Sequence, residues 1–231
     1  MNGSRGVVLW DMDGTLISPF RSSVESPHLN AVVKNGFNPQ QKYPRLLGST
    51  DFEVISSLIS FHPSKVNEDV LEKCFKDLDD ISLSLYDLDS FSLCQGIPQA
   101  LIKVNELGWN NGILTGNTNL RMLKKLEILE IVDYFNKDFM FSCNLKDSRE
   151  NITERARKKL KSGGYSNSFI VGDTPRDISV AKKYDLRVVA VSTGSFSLEK
   201  LENFAPDLLI RNLEEDLEIF LDFIMGLNSK N

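Results

Sequence analysis

Apolar and polar positions along the chain alternate between short, continuously apolar runs and longer segments with helical periodicity. The runs cover residues 6–10, 111–114, 139–142, 168–171, 187–191 and 208–210. A strand with one wet face alternates in polarity, whereas a run apolar at nearly every position is covered on both faces, as in a parallel sheet flanked by helices. The intervening segments carry helix punctuation. Residues 119–126 follow Asn117-Thr118-Asn119, residues 150–161 run into Gly163-Gly164, and Pro175 opens a further helix where its missing N–H is harmless. The pattern predicts an α/β fold, a doubly wound parallel sheet of the Rossmann-like kind.

One stretch departs from this alternation. Residues 18–93 contain no convincing strand, and the segments 24–37, 51–60 and 67–85 are amphipathic at helical spacing. The expected organisation is a discontinuous α/β core, residues 1–17 and 94–231, interrupted by an all-helical cap at 18–93. Two linkers, near 17–21 and 90–96, would join the two parts.

Composition narrows the choice of function. With 231 residues, 41% of them hydrophobic and 26% charged, the chain is long enough for a sizeable core and too apolar for a disordered class. The net charge of -5 offers no general basic field for nucleic acid, so a small-molecule partner is expected and any anionic substrate must be met by local charge. No membrane partner is expected. The apolar stretch near the N-terminus is too short for a signal peptide or a span, which makes the cytoplasm the expected compartment. Cys74, Cys94 and Cys143 lack metal-site spacing and are expected as buried thiols, and His28 and His62 lack a ligand-spaced partner and are expected on the surface or in the core. Oligomeric state has no sequence signal.

Candidate chemistry sits where strands end. The first run ends in Asp11-Met12-Asp13-Gly14-Thr15, the second in Thr115-Gly116-Asn117, and a later one in Gly172-Asp173-Thr174. Open parallel sheets bind ligands outside the carboxyl ends of their strands, so these segments are expected to converge. A strand-end carboxylate such as Asp11 can attack phosphorus and divide one displacement into two. A phosphate dianion repels that carboxylate, so a hard cation with oxygen ligands is needed between them; magnesium suits the task, with Asp173 as a second carboxylate. Asp13, two residues on, can serve as proton donor and then base. Thr115 and the N–H groups after it, at an expected helix N-terminus, can bind phosphoryl oxygens.

These segments, in this order, resemble the haloacid dehalogenase superfamily. Asp11-Met12-Asp13-Gly14-Thr15-Leu16 is similar to its first motif, Thr115-Gly116-Asn117 to its second, and Gly172-Asp173-Thr174-Pro175-Arg176-Asp177 to its fourth. The helical insertion resembles the type-one cap, and Gly48-Ser49-Thr50-Asp51 resembles a cap turn of phosphoglycolate-phosphatase-like members. The resemblance implies a magnesium-dependent phosphomonoesterase with Asp11 as nucleophile and metal ligand. Asp13 is implied as acid and base with its carbonyl on the metal, Asp173 as metal ligand, and Asp177 in the layer behind the ligands. The third motif departs from the family pattern, because no Lys-Pro follows Phe141. Arg149, seven residues ahead of Ala156, is the first choice for its cation and Lys146 the alternative. A sugar-phosphate mutase uses the same two aspartates, and a catalytically silent phosphate-binding protein shares the fold; both remain as alternatives.

Overall fold

The computed structural model describes residues 6–18, 26–37, 46–60 and 68–226. Six strands form one sheet: β1 (Val7–Trp10), β2 (Asn110–Thr118), β3 (Phe135–Cys143), β4 (Ser168–Gly172), β5 (Arg187–Val191) and β6 (Leu208–Ile210). All neighbours are parallel and the order is β3-β2-β1-β4-β5-β6. The strand β1 is central, with Val8 opposite Asn111 of β2 on one side and Phe169 of β4 on the other. The order reverses at β1, which makes its carboxyl end the topological switch point.

Period-two geometry sends alternate side chains of β1 to opposite faces. Val8 and Trp10 join a core built with α4 (Ile97–Glu106), α5 (Asn119–Ile128) and α9 (Leu217–Ile224). Val7 and Leu9 join a second core built with α6 (Arg149–Ser162), α7 (Pro175–Lys183) and α8 (Leu198–Glu202). Helices therefore cover both faces, which is why β1 tolerates no polar residue. Three further helices, α1 (Pro27–Lys34), α2 (Asp51–Ser60) and α3 (Glu68–Leu85), bury Val32, Ile55, Leu58, Cys74 and Leu78 in a core of their own. Cys74, Cys94 and Cys143 are buried and free. Among the described residues no helix is long and apolar enough to cross a membrane.

The two chain segments that join the helical layer to the sheet run side by side. Ile17 bridges Leu93, the Ser18 N–H donates to Ser92 O (2.9 Å), and the Cys94 N–H donates to Leu16 O (2.9 Å). The expected linker 17–21 extends beyond the described residues, as do the starts of the helices expected at 24–37 and 67–85. Two strands are longer than their apolar runs. The run 111–114 falls in the first half of β2, whose ladder continues to Thr118 opposite Cys143. In β3 only Phe135, Phe139 and Cys143 are buried, so this edge strand shows no continuous apolar run to mark its first half.

Polar residues inside the sheet need partners. Asn111 is fully buried, and its Oδ1 accepts from Trp10 Nε1 (2.8 Å) while its Nδ2 donates to Leu101 O (2.9 Å) and Asn105 Oδ1 (3.0 Å). Asn111→Ala would orphan the buried Trp10 N–H, worth about 1–3 kcal/mol when unmet, and remove further buried hydrogen bonds to Leu101 O and Asn105 Oδ1. The expected loss is on the order of 3 kcal/mol, roughly 6–12 °C in Tm. Thermal unfolding measures it, and a change below about 2 °C would mean that water replaces the lost partners.

Candidate active site

Three strand ends bring the candidate residues together. At the end of β1 the Asp11 N–H still donates to Val171 O (2.9 Å), so the nucleophile candidate is fixed by the ladder itself. Met12 then turns into the core, fully buried, while Asp11 and Asp13 both line a cavity of about 480 Å3. Gly14 adopts φ +97°, and its N–H donates to Ile17 O (2.7 Å), turning the chain sharply behind the pair. A side chain here would be strained by that φ and would also overlap the Asp173 carboxylate. A Cβ at Gly194 would overlap the same carboxylate, so two glycines make room for Asp173.

Asp173 follows β4 and is 3% exposed; Thr15 Oγ1 donates to its Oδ1 (3.3 Å). The next turn starts α7, where Thr174 and Asp177 form a capping box. Asp177 uses Oδ2 for the Thr174 N–H (3.1 Å) and hydroxyl (2.6 Å), and Oδ1 for Arg149 Nη2 (2.5 Å). The same Nη2 donates to Asp11 Oδ1 (2.8 Å). Arg149 opens α6 behind the N-cap Ser148 and is fully buried, and its Nε has no partner among the described residues. Lys146 is placed differently: it is exposed on the preceding turn and paired with Glu68 of α3.

The residues of β2 differ from expectation. Thr115 and Gly116 lie within the strand, because α5 starts only at Asn119 with Thr118 as its N-cap. Thr115 is therefore not at a helix N-terminus, and its Oγ1 accepts from Asn117 N (3.1 Å) and Nδ2 (2.9 Å). Gly116 permits close approach of the helical layer, since a Cβ there would meet Ser49 O at 2.7 Å and Thr50 Cα at 2.9 Å. Asn117 Nδ2 reaches Asp13 Oδ2 (2.7 Å).

Six residues of this site carried no sequence expectation as functional groups. Thr118, Arg121 and Lys125, spaced three and four apart, share one face of α5, and that polar stripe beside the apolar Met122 and Leu126 was the available signal. Lys125 Nζ donates to Asp13 Oδ1 (2.6 Å) and Oδ2 (2.8 Å). Arg121 donates to Asp51 and to the Tyr86 hydroxyl (2.8 Å), while the Thr118 N–H donates to Asp51 Oδ2 (2.7 Å). His28, expected on the surface or in the core, lines the cavity instead, with Nε2 2.8 Å from Asp51 Oδ1. His62 lies outside the described residues.

Electrostatics divides the aspartates into two groups. Burial, together with the neighbouring carboxylates, pushes Asp11 and Asp173 above the ordinary carboxylate range, although Arg149 opposes this at Asp11. Burial also acts on Asp13, but Lys125 and the Asn117 hydrogen bond outweigh it and hold that carboxyl below its usual value. Negative charge is thus unmet around Asp11 and Asp173 and met at Asp13. Carboxylate oxygens of Asp11, Asp173 and Asp177 lie within 4.8 Å of one another, all buried. Three carboxylates, of which Asp11 and Asp177 pair with one guanidinium, leave a net negative, all-oxygen donor set, which fits a hard divalent ion such as magnesium. By side chains this set contains Asp177, whereas the Asp13 carboxylate is turned toward Lys125.

Comparison with known proteins identifies the family and the fold. A family model described as haloacid dehalogenase-like hydrolase matches residues 8–191. A curated Clostridium perfringens protein named "Putative pyrophosphatase PpaX" is 25% identical, with 96% of this chain and 98% of that protein aligned. Among solved structures, a "predicted phosphoglycolate phosphatase" of Haemophilus somnus is 16% identical with a TM-score of 0.68, covering 95% of this chain and 99% of that one. CbbY of Rhodobacter sphaeroides, solved in complex with phosphate, is 15% identical with a TM-score of 0.64, covering 91% and 96%. At these identities the structural likeness is one of fold.

The raised carboxyls have a stability consequence. A group whose folded pKa lies above its unfolded value stabilises fully below the unfolded value, about 4, and loses that contribution as pH rises toward the folded value. Metal-free protein is expected to lose stability between about pH 5 and about pH 8, and a bound divalent ion to restore it. The rise in Tm on adding magnesium should be larger at about pH 8 than at about pH 5, by on the order of 5 °C. Thermal unfolding in EDTA and in magnesium at both values decides this; equal increments would mean that Asp11 and Asp173 do not share the ion.

Proposed function

The chain belongs to the haloacid dehalogenase-like hydrolases, and from that premise we propose that it is a magnesium-dependent phosphatase. Its substrates are monoesters of small phosphorylated metabolites, hydrolysed through a phosphoaspartate on Asp11. The observation that carries this reading is the buried cluster of Asp11, Asp173 and Asp177, two of them paired with Arg149, with Asp13 held apart on the same cavity. It separates a nucleophile in a cation-demanding pocket from a second carboxyl group whose charge is balanced on the same cavity.

In the first half of the reaction an Asp11 oxygen forms a bond to phosphorus as the ester P–O bond breaks. The electron pair stays on the leaving oxygen, which takes the proton of Asp13. In the second half water attacks the same phosphorus and gives its proton to the Asp13 carboxylate. The bond from phosphorus to Asp11 breaks and its electron pair returns to the carboxylate. The proton taken from water in one turnover thus replaces the one given to the leaving group. Asp11, Asp173 and the Asp13 carbonyl would hold the ion, backed by Asp177. When bound, magnesium offsets the charge that keeps a phosphate dianion and a carboxylate apart.

Arg149 is the third-motif cation in this reading. Its Nη2 donates to both Asp11 and Asp177, so its charge stands beside the nucleophile and lowers the repulsion that an incoming phosphoryl group would meet there. Thr115, Gly116 and Asn117 line the cavity beside Asp11 and contribute to phosphoryl binding.

The test is phosphate release from p-nitrophenyl phosphate with magnesium and with EDTA, followed by a panel of phosphorylated metabolites compared by kcat/KM. Magnesium-dependent release is expected. Isomerised sugar phosphate without free phosphate would replace this reading with a mutase, and no turnover of any ester would leave a phosphate-binding protein. Asp11→Asn should lower turnover by at least about 10^4-fold, because an amide is a poor nucleophile and ligand. Arg149→Ala should lower kcat/KM by on the order of a hundredfold, Arg149→Lys should recover part, and Lys146→Ala should change it less than about threefold. The reverse ranking of the two alanine variants would move the role to Lys146.

A further inference from the structure

We propose that Lys125 is a positioning residue that fixes the Asp13 carboxylate where it can deliver a proton to the leaving group. The proposal rests on the reading of Asp13 as proton donor, but the geometry behind it stands independently. The Asp13 side chain is 51% exposed toward the cavity, whereas that of Lys125 is 4% exposed. An exposed aspartate with no anchor spreads over its rotamers, and a proton donor is useful only within hydrogen-bond reach of its target.

Lys125 supplies the anchor. Its ammonium has three protons, and three acceptors surround it: Asp13 Oδ1 (2.6 Å), Asp13 Oδ2 (2.8 Å) and Asn117 Oδ1 (3.0 Å). Asn117 closes the ring by donating Nδ2 to Asp13 Oδ2 (2.7 Å) and to Thr115 Oγ1 (2.9 Å). The ammonium also lies 5.4 Å from the Phe91 ring centre and 5.9 Å from that of Tyr86, a setting that favours a cation. Tyr86 is held in turn by Arg121, one turn earlier on the same face of α5.

This is unlike a solvated surface ion pair, whose contribution is small. A lysine buried beside the cavity is not needed to fill space, since methionine has a similar shape and no charge to desolvate. It is equally unlike a phosphate-binding cation, because all three of its protons are engaged. Arg149 stands on the nucleophile side, where its Nη2 donates to Asp11 and Asp177. The two cations therefore divide the work: Arg149 faces the phosphoryl group and Lys125 faces the proton carrier.

The test compares phenyl phosphate with p-nitrophenyl phosphate, esters of similar size whose leaving groups differ in their need for a proton. The parameter is kcat/KM, which covers steps up to departure of the leaving group. Lys125→Met should lower it by on the order of a hundredfold for phenyl phosphate and by less than about tenfold for p-nitrophenyl phosphate. Lys125→Arg should recover part of the difference. Equal losses on both esters, or none, would overturn the proposal, because damage to the fold cannot distinguish leaving groups. A crystal structure of Lys125→Met supplies a readout that needs no turnover. Asp13 rotated away from Asn117 supports positioning, and Asp13 unmoved refutes it. Wild-type protein that hydrolyses neither ester would instead refute the phosphatase reading, and the crystal structure would still decide the role of Lys125.

Discussion

The constraint on which the rest depends is charge confinement: three carboxylates packed within 4.8 Å, buried, with one guanidinium among them. Such a cluster is unfavourable in isolation, because each carboxylate loses water and repels the others. The surroundings are arranged to tolerate it. Asp11 is clamped by the sheet ladder, Asp177 by the first turn of its helix, and Asp173 by two glycines that leave it room. The sheet supplies rigidity at one point, the end of β1, where neighbours on both sides are parallel strands with buried faces.

The helical layer closes over this point through polar contacts as well as apolar ones. Thr50 Oγ1 donates to Asp147 O (2.7 Å), Arg176 Nη1 donates to Glu53 Oε2 (2.7 Å), and Asp51 accepts from Thr118 and Arg121. Thr50 and the Asp51–Arg121 pair are buried, whereas Arg176 and Glu53 are partly exposed, so polar contacts of both kinds tie the layer to the sheet.

Much of the fold was legible because the central strands are buried on both faces, and burial leaves an unbroken apolar run that no polar periodicity disguises. The edge strand β3 shows the limit: with its outer positions wet, only its last part stood out. The aspartates at strand ends were legible for a chemical reason, since Asp11, Asp13 and Asp173 sit where a run of apolar residues stops abruptly. Lys125, Arg121, Asp51 and His28 were not. Each lies within an amphipathic helix or beside one, where a polar residue ordinarily faces solvent, and only tertiary packing turned those positions inward. The misplacement of Thr115 has the same origin. Hydrogen-bond partners on β3 carry β2 past the last apolar residue, and those partners are distant in sequence.

Asp177 carries one more implication. A single carboxylate starts α7 with one oxygen and grips Arg149 with the other. Loss of Asp177 by drift would therefore loosen the start of α7 and release Arg149 at the same time. One residue ties a helix start to the charge beside Asp11, so neither can change alone.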